Sequence, residues 1–139
     1  MSSDFQVTFD TSDPHRVARF WAEALHYEKE DHTALVAQLL AQGRIPDQAT
    51  TEVDGGRQFA GVSACRDPQG ARPRLFFQRV PEGKVVKNRV HLDIHVGKDH
   101  IDEEVARLVG LGATPAWESN TGGRCVTMRD VEENEFCVE

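Results

Sequence analysis

The chain has 139 residues, 39% of them hydrophobic and 28% charged, and its 16 Lys and Arg against 23 Asp and Glu give a formal net charge of −7. A chain of this size buries a real core as one domain, and its acidic balance excludes the positive surface that non-specific nucleic-acid binding requires. No stretch approaches the roughly 20 apolar residues of a membrane-spanning helix, and the opening residues Met1-Ser-Ser-Asp-Phe5 carry no basic or apolar signal region. Cys65, Cys125 and Cys137 lack metal-type spacing and read as reduced thiols of a cytoplasmic protein.

Residues 5–10 alternate, Phe5, Val7 and Phe9 against Gln6, Thr8 and Asp10, which predicts a strand. Ser12 or Asp13 caps the helix that follows, with Pro14 in a first turn where a missing N–H costs nothing. Val17, Phe20, Trp21, Ala24 and Leu25 recur at the spacing of its buried face. A second helix is predicted over 33–42, with Leu35, Val36, Leu39 and Leu40 as its stripe and Gly43 as its stop. Residues 44–57 read as loop with a short strand near Thr51–Val53, and strands follow at 58–66 and 74–80 around the turn Asp67-Pro-Gln-Gly70. Residues 81–89 form a basic connector. Its Lys84, Lys87 and Arg89 either make solvated or salt-bridged contacts or hold a carboxylate or phosphate. The remainder reads as a strand over 90–96, a helix over 101–110 and strands near 114–118, 123–128 and 135–138.

One phrase occurs twice. Gln6-Val-Thr-Phe-Asp-Thr-Ser-Asp13 leads into Val17-Ala-Arg-Phe-Trp-Ala-Glu-Ala-Leu25, and His91-Leu-Asp-Ile-His-Val-Gly-Lys-Asp99 leads into Val105-Ala-Arg-Leu-Val-Gly-Leu-Gly-Ala113. Each copy is an alternating strand, an acidic turn and an amphipathic helix, which points to two copies of one supersecondary unit. The predicted fold class is α+β, two tandem βαβββ modules forming curved sheets around a cleft. Module one spans 1–82 and carries the helix at 33–42 as an insertion; the connector 83–87 leads to module two, 88–139.

The strand at 91–96 carries the most pointed chemistry. Leu92, Ile94 and Val96 take one face, and His91, Asp93 and His95 the other. His91 and His95 lie about 13 Å apart on an extended strand, so one ion does not bridge both. His91 with Asp93, or Asp93 with His95, can share an ion or a proton, and Asp93 can orient either imidazole for acid–base work. The competing reading is a row of polar residues on a solvated or subunit-covered face. Trp117 is read either as packing or as a platform for a flat ligand, and Trp21, at core spacing on its helix, as packing.

The βαβββ repeat resembles the vicinal oxygen chelate superfamily of glyoxalase, bleomycin-resistance and extradiol dioxygenase proteins, and within it the glyoxalase-like group. The phrases Ala18-Arg-Phe-Trp-Ala-Glu-Ala-Leu25, Arg74-Leu-Phe-Phe-Gln-Arg-Val-Pro-Glu82, Lys87-Asn-Arg-Val-His-Leu-Asp93 and Asn134-Glu-Phe-Cys-Val138 carry the likeness. The resemblance implies a cleft lined by Gln6, Thr8, Gln78, His91, Asp93, His95, Trp117 and Cys137. Its metal-ligand positions match Gln6, Gln78, His91 and Cys137, where metal-using relatives place Glu at the two last-strand positions. Two amides, one imidazole and one thiol are a poor set for Zn, Ni, Mn or Fe, and a free thiol near ~8.5 is only a few per cent thiolate at neutral pH. No resident metal is therefore expected. The resemblance further implies a homodimer that binds a small molecule, as bleomycin-resistance proteins do, with a metal-dependent lyase, isomerase or dioxygenase as the alternative. The turn Asp130-Val-Glu-Glu-Asn134 departs from the family pattern by carrying Glu133 where glycine is expected.

Overall fold

The computed structural model describes all 139 residues, Met1–Glu139. They form two compact units, Met1–Pro81 and Glu82–Glu139. The first contains β1 (Val7–Thr11), α1 (Pro14–Leu25), β2 (Glu28–Lys29), α2 (Thr33–Ala41), a 3₁₀ turn (Asp47–Ala49), β3 (Thr50–Val53), β4 (Gly56–Phe59), β5 (Val62–Arg66) and β6 (Leu75–Arg79). Four strands make a sheet in the order β1-β6-β5-β2, and β3 and β4 pair separately. The second unit contains β7 (Asp93–Ile94), α3 (Ile101–Gly110), β8 (Thr114–Ser119), β9 (Cys125–Arg129) and β10 (Glu135–Val138), with sheet order β7-β10-β9-β8. Both sheets place their first and last strands side by side in parallel. The fold is α+β with a βαβββ unit in each half.

Local chemistry explains the elements. Asp13 caps α1 by accepting from the Arg16 N–H at 3.1 Å, and Pro14 opens its first turn. The helix buries Val17, Phe20, Trp21 and Ala24 against the sheet, where the Phe9 ring lies 5.7 Å from Trp21 and 5.3 Å from Phe77. Burying aromatic side chains of this size contributes about 1.5–3 kcal/mol each. Gly43 ends α2 in the left-handed region, with the Arg44 N–H donating to Leu39 O and its own N–H to Leu40 O. Of the predicted α2 stripe, Val36 is buried, Leu39 and Leu40 are half-buried, and Leu35 stays 47% exposed. In the second unit Ile101 and Leu108 of α3 are buried with Val126, Met128, Phe136 and Val138 of the sheet.

Several boundaries differ from the sequence expectation, each for a physical reason. The insertion in the first unit is a helix and a hairpin. The short strand expected near Thr51–Val53 is β3, and the rest of 44–57 holds the start of its partner β4, with Asp54 and Gly55, at φ 53° and 79°, making the turn between them. The strand expected over 58–66 breaks at Ala60–Gly61 into β4 and β5, which belong to different sheets. β2 has two residues, too few to show a period. The strand expected over 90–96 is a two-residue ladder at Asp93–Ile94. Backbone bonds from Cys137 N to Leu92 O, Glu139 N to Ile94 O and Val96 N to Glu139 O keep the longer segment beside β10.

The two units close their last hairpins alike. Asp67 accepts from the N–H groups of Gln69, Ala71 and Arg72, and Asp130 from those of Glu132 and Asn134. Gly70 and Glu133 occupy the same place in these turns, each at φ 67°.

Candidate functional site

The second sheet carries its chemistry on the face turned away from α3. Ladder register places Asp93 beside Cys137, Cys137 beside Thr127, and Thr127 beside Trp117, so one row crosses all four strands. Residues opposite one another in a ladder share a face. His91 stands next to this row, and its Nδ1 donates to Asp93 Oδ1 at 2.8 Å. One ligand atom from each of His91, Asp93 and Cys137 lies within 4.8 Å of the others. Cys137 is buried, and its Sγ lies 3.5 Å from Thr127 Oγ1. In the neutral ring of His91 the hydrogen bond to Asp93 places the proton on Nδ1 and leaves Nε2 as the acceptor.

Cys125 joins the cluster from β9. Burial pushes its thiol up to about 11, and a hydrogen bond with Cys137 and the nearby charges of Glu139 and Asp93 act in the same direction. Sequence reading left Cys125 and Thr127 as unremarkable strand residues. Their alternation along 125–129 puts them on one face, but only the register against β10 shows that Cys137 shares it. Trp117 is 43% exposed, with the Arg129 guanidinium 5.8 Å from its ring centroid. Its apolar surface is therefore available beside a cation.

The remaining site residues lie elsewhere. His95 is an exposed residue 3.5 Å from Glu139 Oε1 and makes no pair with Asp93. In the first unit Gln6 Oε1 accepts from Arg74 Nη1 at 2.9 Å, and Thr8 Oγ1 accepts from Gln6 Nε2 at 3.5 Å. Gln78 Nε2 donates to Asp10 Oδ1 at 2.9 Å, and these two residues are direct ladder partners. Gln6 precedes Asp10 by four residues, about 13 Å of strand, so Gln6 and Gln78 do not meet on their sheet. The register also shows that Thr8, the counterpart of Asp93 in the repeated phrase, pairs with Phe76. Phe76 is thus the first sheet's equivalent of Cys137, and Gln78 lies two residues beyond it. Lys84 of the connector is bound to Glu135 at 3.0 Å, and Asn88 N donates to the same carboxylate. This salt-bridged arrangement ties the connector to β10.

A βαβββ unit in each half, with polar groups gathered where first and last strands run in parallel, defines the glyoxalase-type α+β class. The family described as glyoxalase-like domain matches residues 6–139, and the chain belongs to that family. Among solved structures it is similar to the fosfomycin resistance protein FosX of Mesorhizobium loti, at 12% identity and TM-score 0.63 over 100% of this chain and 91% of that one. A variant of FosX from Listeria monocytogenes, complexed with Mn(II) and 1S,2S-dihydroxypropylphosphonic acid, gives 13% identity and TM-score 0.64 over 100% of this chain and 90% of that one. A glyoxalase/bleomycin resistance/dioxygenase family enzyme from Burkholderia phytofirmans gives 15% identity and TM-score 0.63 over 98% of this chain and 97% of that one. At these identities the likeness carries the fold. No curated protein matches the sequence, and no helix is long and apolar enough to cross a membrane.

Proposed function

We propose that this chain is a small-molecule binder of the bleomycin-resistance kind. Its ligand docks along the row from Asp93 to Trp117 and needs no tightly held metal. The observation that carries this reading is the 2.8 Å hydrogen bond from His91 Nδ1 to Asp93. It aims an acceptor, Nε2, at a ligand hydroxyl or acidic proton. Strands stand about 4.8 Å apart, so the row is about 14 Å long. That length suits a planar group against Trp117 with a polar head at His91. Of the other positions that match metal ligands, Gln6 supports a metal-free site, because the oxygen it would offer an ion accepts from Arg74.

A second reading, a metal-dependent lyase, isomerase or dioxygenase, is favoured by the convergence of His91, Asp93 and Cys137. One imidazole, one carboxylate and one thiol fit Zn²⁺ or Ni²⁺ better than Mn²⁺, which prefers oxygen donors. These three residues would hold the ion, which would supply Lewis-acid polarisation of vicinal oxygens. Elemental analysis of protein purified without added metal or chelator separates the two readings. Stoichiometric Zn, Ni, Mn or Fe that is lost in His91→Ala would replace the first reading with the second. For the first, a thermal-shift screen of aromatic acids and phenols should give hits that weaken in His91→Ala, Asp93→Asn and Trp117→Ala. A hit indifferent to all three changes would overturn it.

We further propose a homodimer in a reducing cytoplasm. Exposed Val85 and Val86 on the connector, exposed Val90 just after it, and the free thiols of Cys65, Cys125 and Cys137 support it. Light scattering that gives a monomer at micromolar concentration would contradict the dimer.

A further inference from the structure

Arg129 lies on the same face of the second sheet as the row from Asp93 to Trp117. Cys125, Thr127 and Arg129 alternate along β9, and Val126 and Met128 between them are buried. The ladder sets Arg129 opposite Glu135, two residues before Cys137, and the parallel pairing of Cys137 with Asp93 brings Glu135 level with His91. Arg129 and His91 are therefore two strands, about 10 Å, apart on one face. At its own end of that face Arg129 meets Trp117, with the guanidinium 5.8 Å from the ring centroid.

The neighbours of Arg129 leave its donors open. Glu135 is 7% exposed and is taken by Lys84 Nζ at 3.0 Å and by the Asn88 N–H at 2.9 Å. Glu133 Oε2 lies 3.9 Å from Arg129 Nε, beyond hydrogen-bond length, and its side chain is 70% exposed. An exposed pair of that length is weak and yields to a better partner. The other guanidiniums of this unit are committed: Arg124 to Asp102 and Glu118, each at 2.7 Å, and Arg107 to Glu104 at 2.6 and 3.0 Å. Asp93 lies at the far end of the row from Trp117, about 14 Å away. A planar fork seated against an aromatic ring can present two parallel N–H groups to a carboxylate. A cationic ligand would meet like charge there, and a neutral one would leave the charge without a partner.

We propose that Arg129 sets the charge of the ligand: the site takes an aromatic carboxylate, with its ring against Trp117 and its carboxylate on the Arg129 guanidinium. A hydroxyl at the other end of such a ligand reaches toward His91 Nε2. This assignment rests on the row being a ligand site, and it names the class of ligand that the row selects.

The test is a ¹H–¹⁵N NMR titration of the full chain with 4-hydroxycinnamate and with its neutral amide, followed at the Trp117 indole N–H and the Arg129 Nε–H. The acid should bind about tenfold more tightly than the amide, the worth of one charge-assisted contact, and should shift both signals. Arg129→Gln should remove that preference by weakening the acid about tenfold and leaving the amide unchanged. If this variant fails to fold, Arg129→Lys, which keeps the charge but not the paired N–H groups, should still weaken the acid more than the amide. Equal affinity of acid and amide, or equal weakening of both in the variant, would overturn the role of Arg129 while leaving the row as a ligand site. Saturable binding of neither compound, or binding of both that ignores His91→Ala and Trp117→Ala, would overturn the row and this assignment together.

Discussion

Glu133 and Gly70 provide a reciprocal test of backbone strain within one chain. Both sit at φ 67° in turns closed by an aspartate, and both N–H groups donate to that aspartate's carbonyl, Glu133 to Asp130 and Gly70 to Asp67. An L-residue in the left-handed region pays about 1–2 kcal/mol. Glycine avoids that cost but loses about 0.4–1 kcal/mol through a freer unfolded chain. The net preference for glycine at either place is therefore about 0.5–1 kcal/mol. Glu133 also lies 3.9 Å from Arg129, as an exposed pair, worth at most about 0.5 kcal/mol. Comparing Glu133→Gly with Glu133→Ala cancels that pair, and the glycine variant should be the more stable by about 0.5–1 kcal/mol. A Cβ built at Gly70 meets nothing within 4 Å, so Gly70→Ala reads backbone conformation alone and should cost about the same amount. Urea midpoints at constant m-value measure both differences. Equal stability of the two Glu133 variants, or a neutral Gly70→Ala, would show that these turns are not strained by a side chain.

His15 is buried, with Nε2 donating to Phe59 O at 2.7 Å and Nδ1 unpartnered. Burial lowers its pKa below 6.5 and outweighs the hydrogen bond that raises it. The unfolded chain then binds the proton more readily, so stability should fall as pH drops below 6.5 and level off once the folded-state value is passed. His15→Gln should flatten the change in urea midpoint between about pH 7 and 5, and an unchanged slope would contradict this. The backbone N–H of Gln69, aided by those of Ala71 and Arg72, holds the Asp67 carboxyl below its ordinary 3.8 despite an opposing desolvation cost. Its contribution is complete above pH 3.8 and lost as pH falls through the depressed value, so Asp67→Asn should make acid unfolding less steep in that range. Burial, with Glu30 adding, pushes the Cys65 thiol up to about 12, and that of Cys125 reaches about 11. Iodoacetamide at pH 8 should leave both unmodified in the native protein and label all three cysteines after denaturation. Native labelling of Cys65 would show that its site opens.

The sequence exposed those parts of the fold that depend on local periodicity. Val17, Phe20, Trp21 and Ala24 mark the buried face of α1 by spacing alone, and α3 lies at Ile101–Gly110 where the second copy of the repeated phrase predicts it. Alternation likewise puts His91 and Asp93 on one face, and they meet there. What was not legible depends on pairing between distant segments. That Cys137 lies beside Asp93 while Gln78 lies beside Asp10 follows from ladder registers fixed by tertiary packing, which local spacing does not encode. In the β3–β4 hairpin β3 was legible near Thr51–Val53, but β4 was merged with β5 into one strand over 58–66, because nothing in the local pattern shows that the two belong to different sheets.

The same registers show how far the two halves have diverged in chemistry while keeping one topology. At the position where the second sheet sets Asp93 beside Cys137, the first sets Thr8 beside Phe76, and the Arg74 guanidinium lies 5.2 Å from the Phe76 ring. A phenyl ring covered by a cation offers no donor atom to a metal, and Thr8 offers a neutral hydroxyl. The first unit's counterpart of the Asp93–Cys137 pair therefore offers no anionic ligand to a metal. The groups that can hold a proton, a ligand hydroxyl or a soft cation are concentrated in the second: His91, Asp93, Cys125 and Cys137. This asymmetry is why a binder using His91 Nε2 is the better reading. It also means that any metal found in the native protein would be expected to disappear with His91 or Cys137 and to persist when Gln6 or Gln78 is replaced.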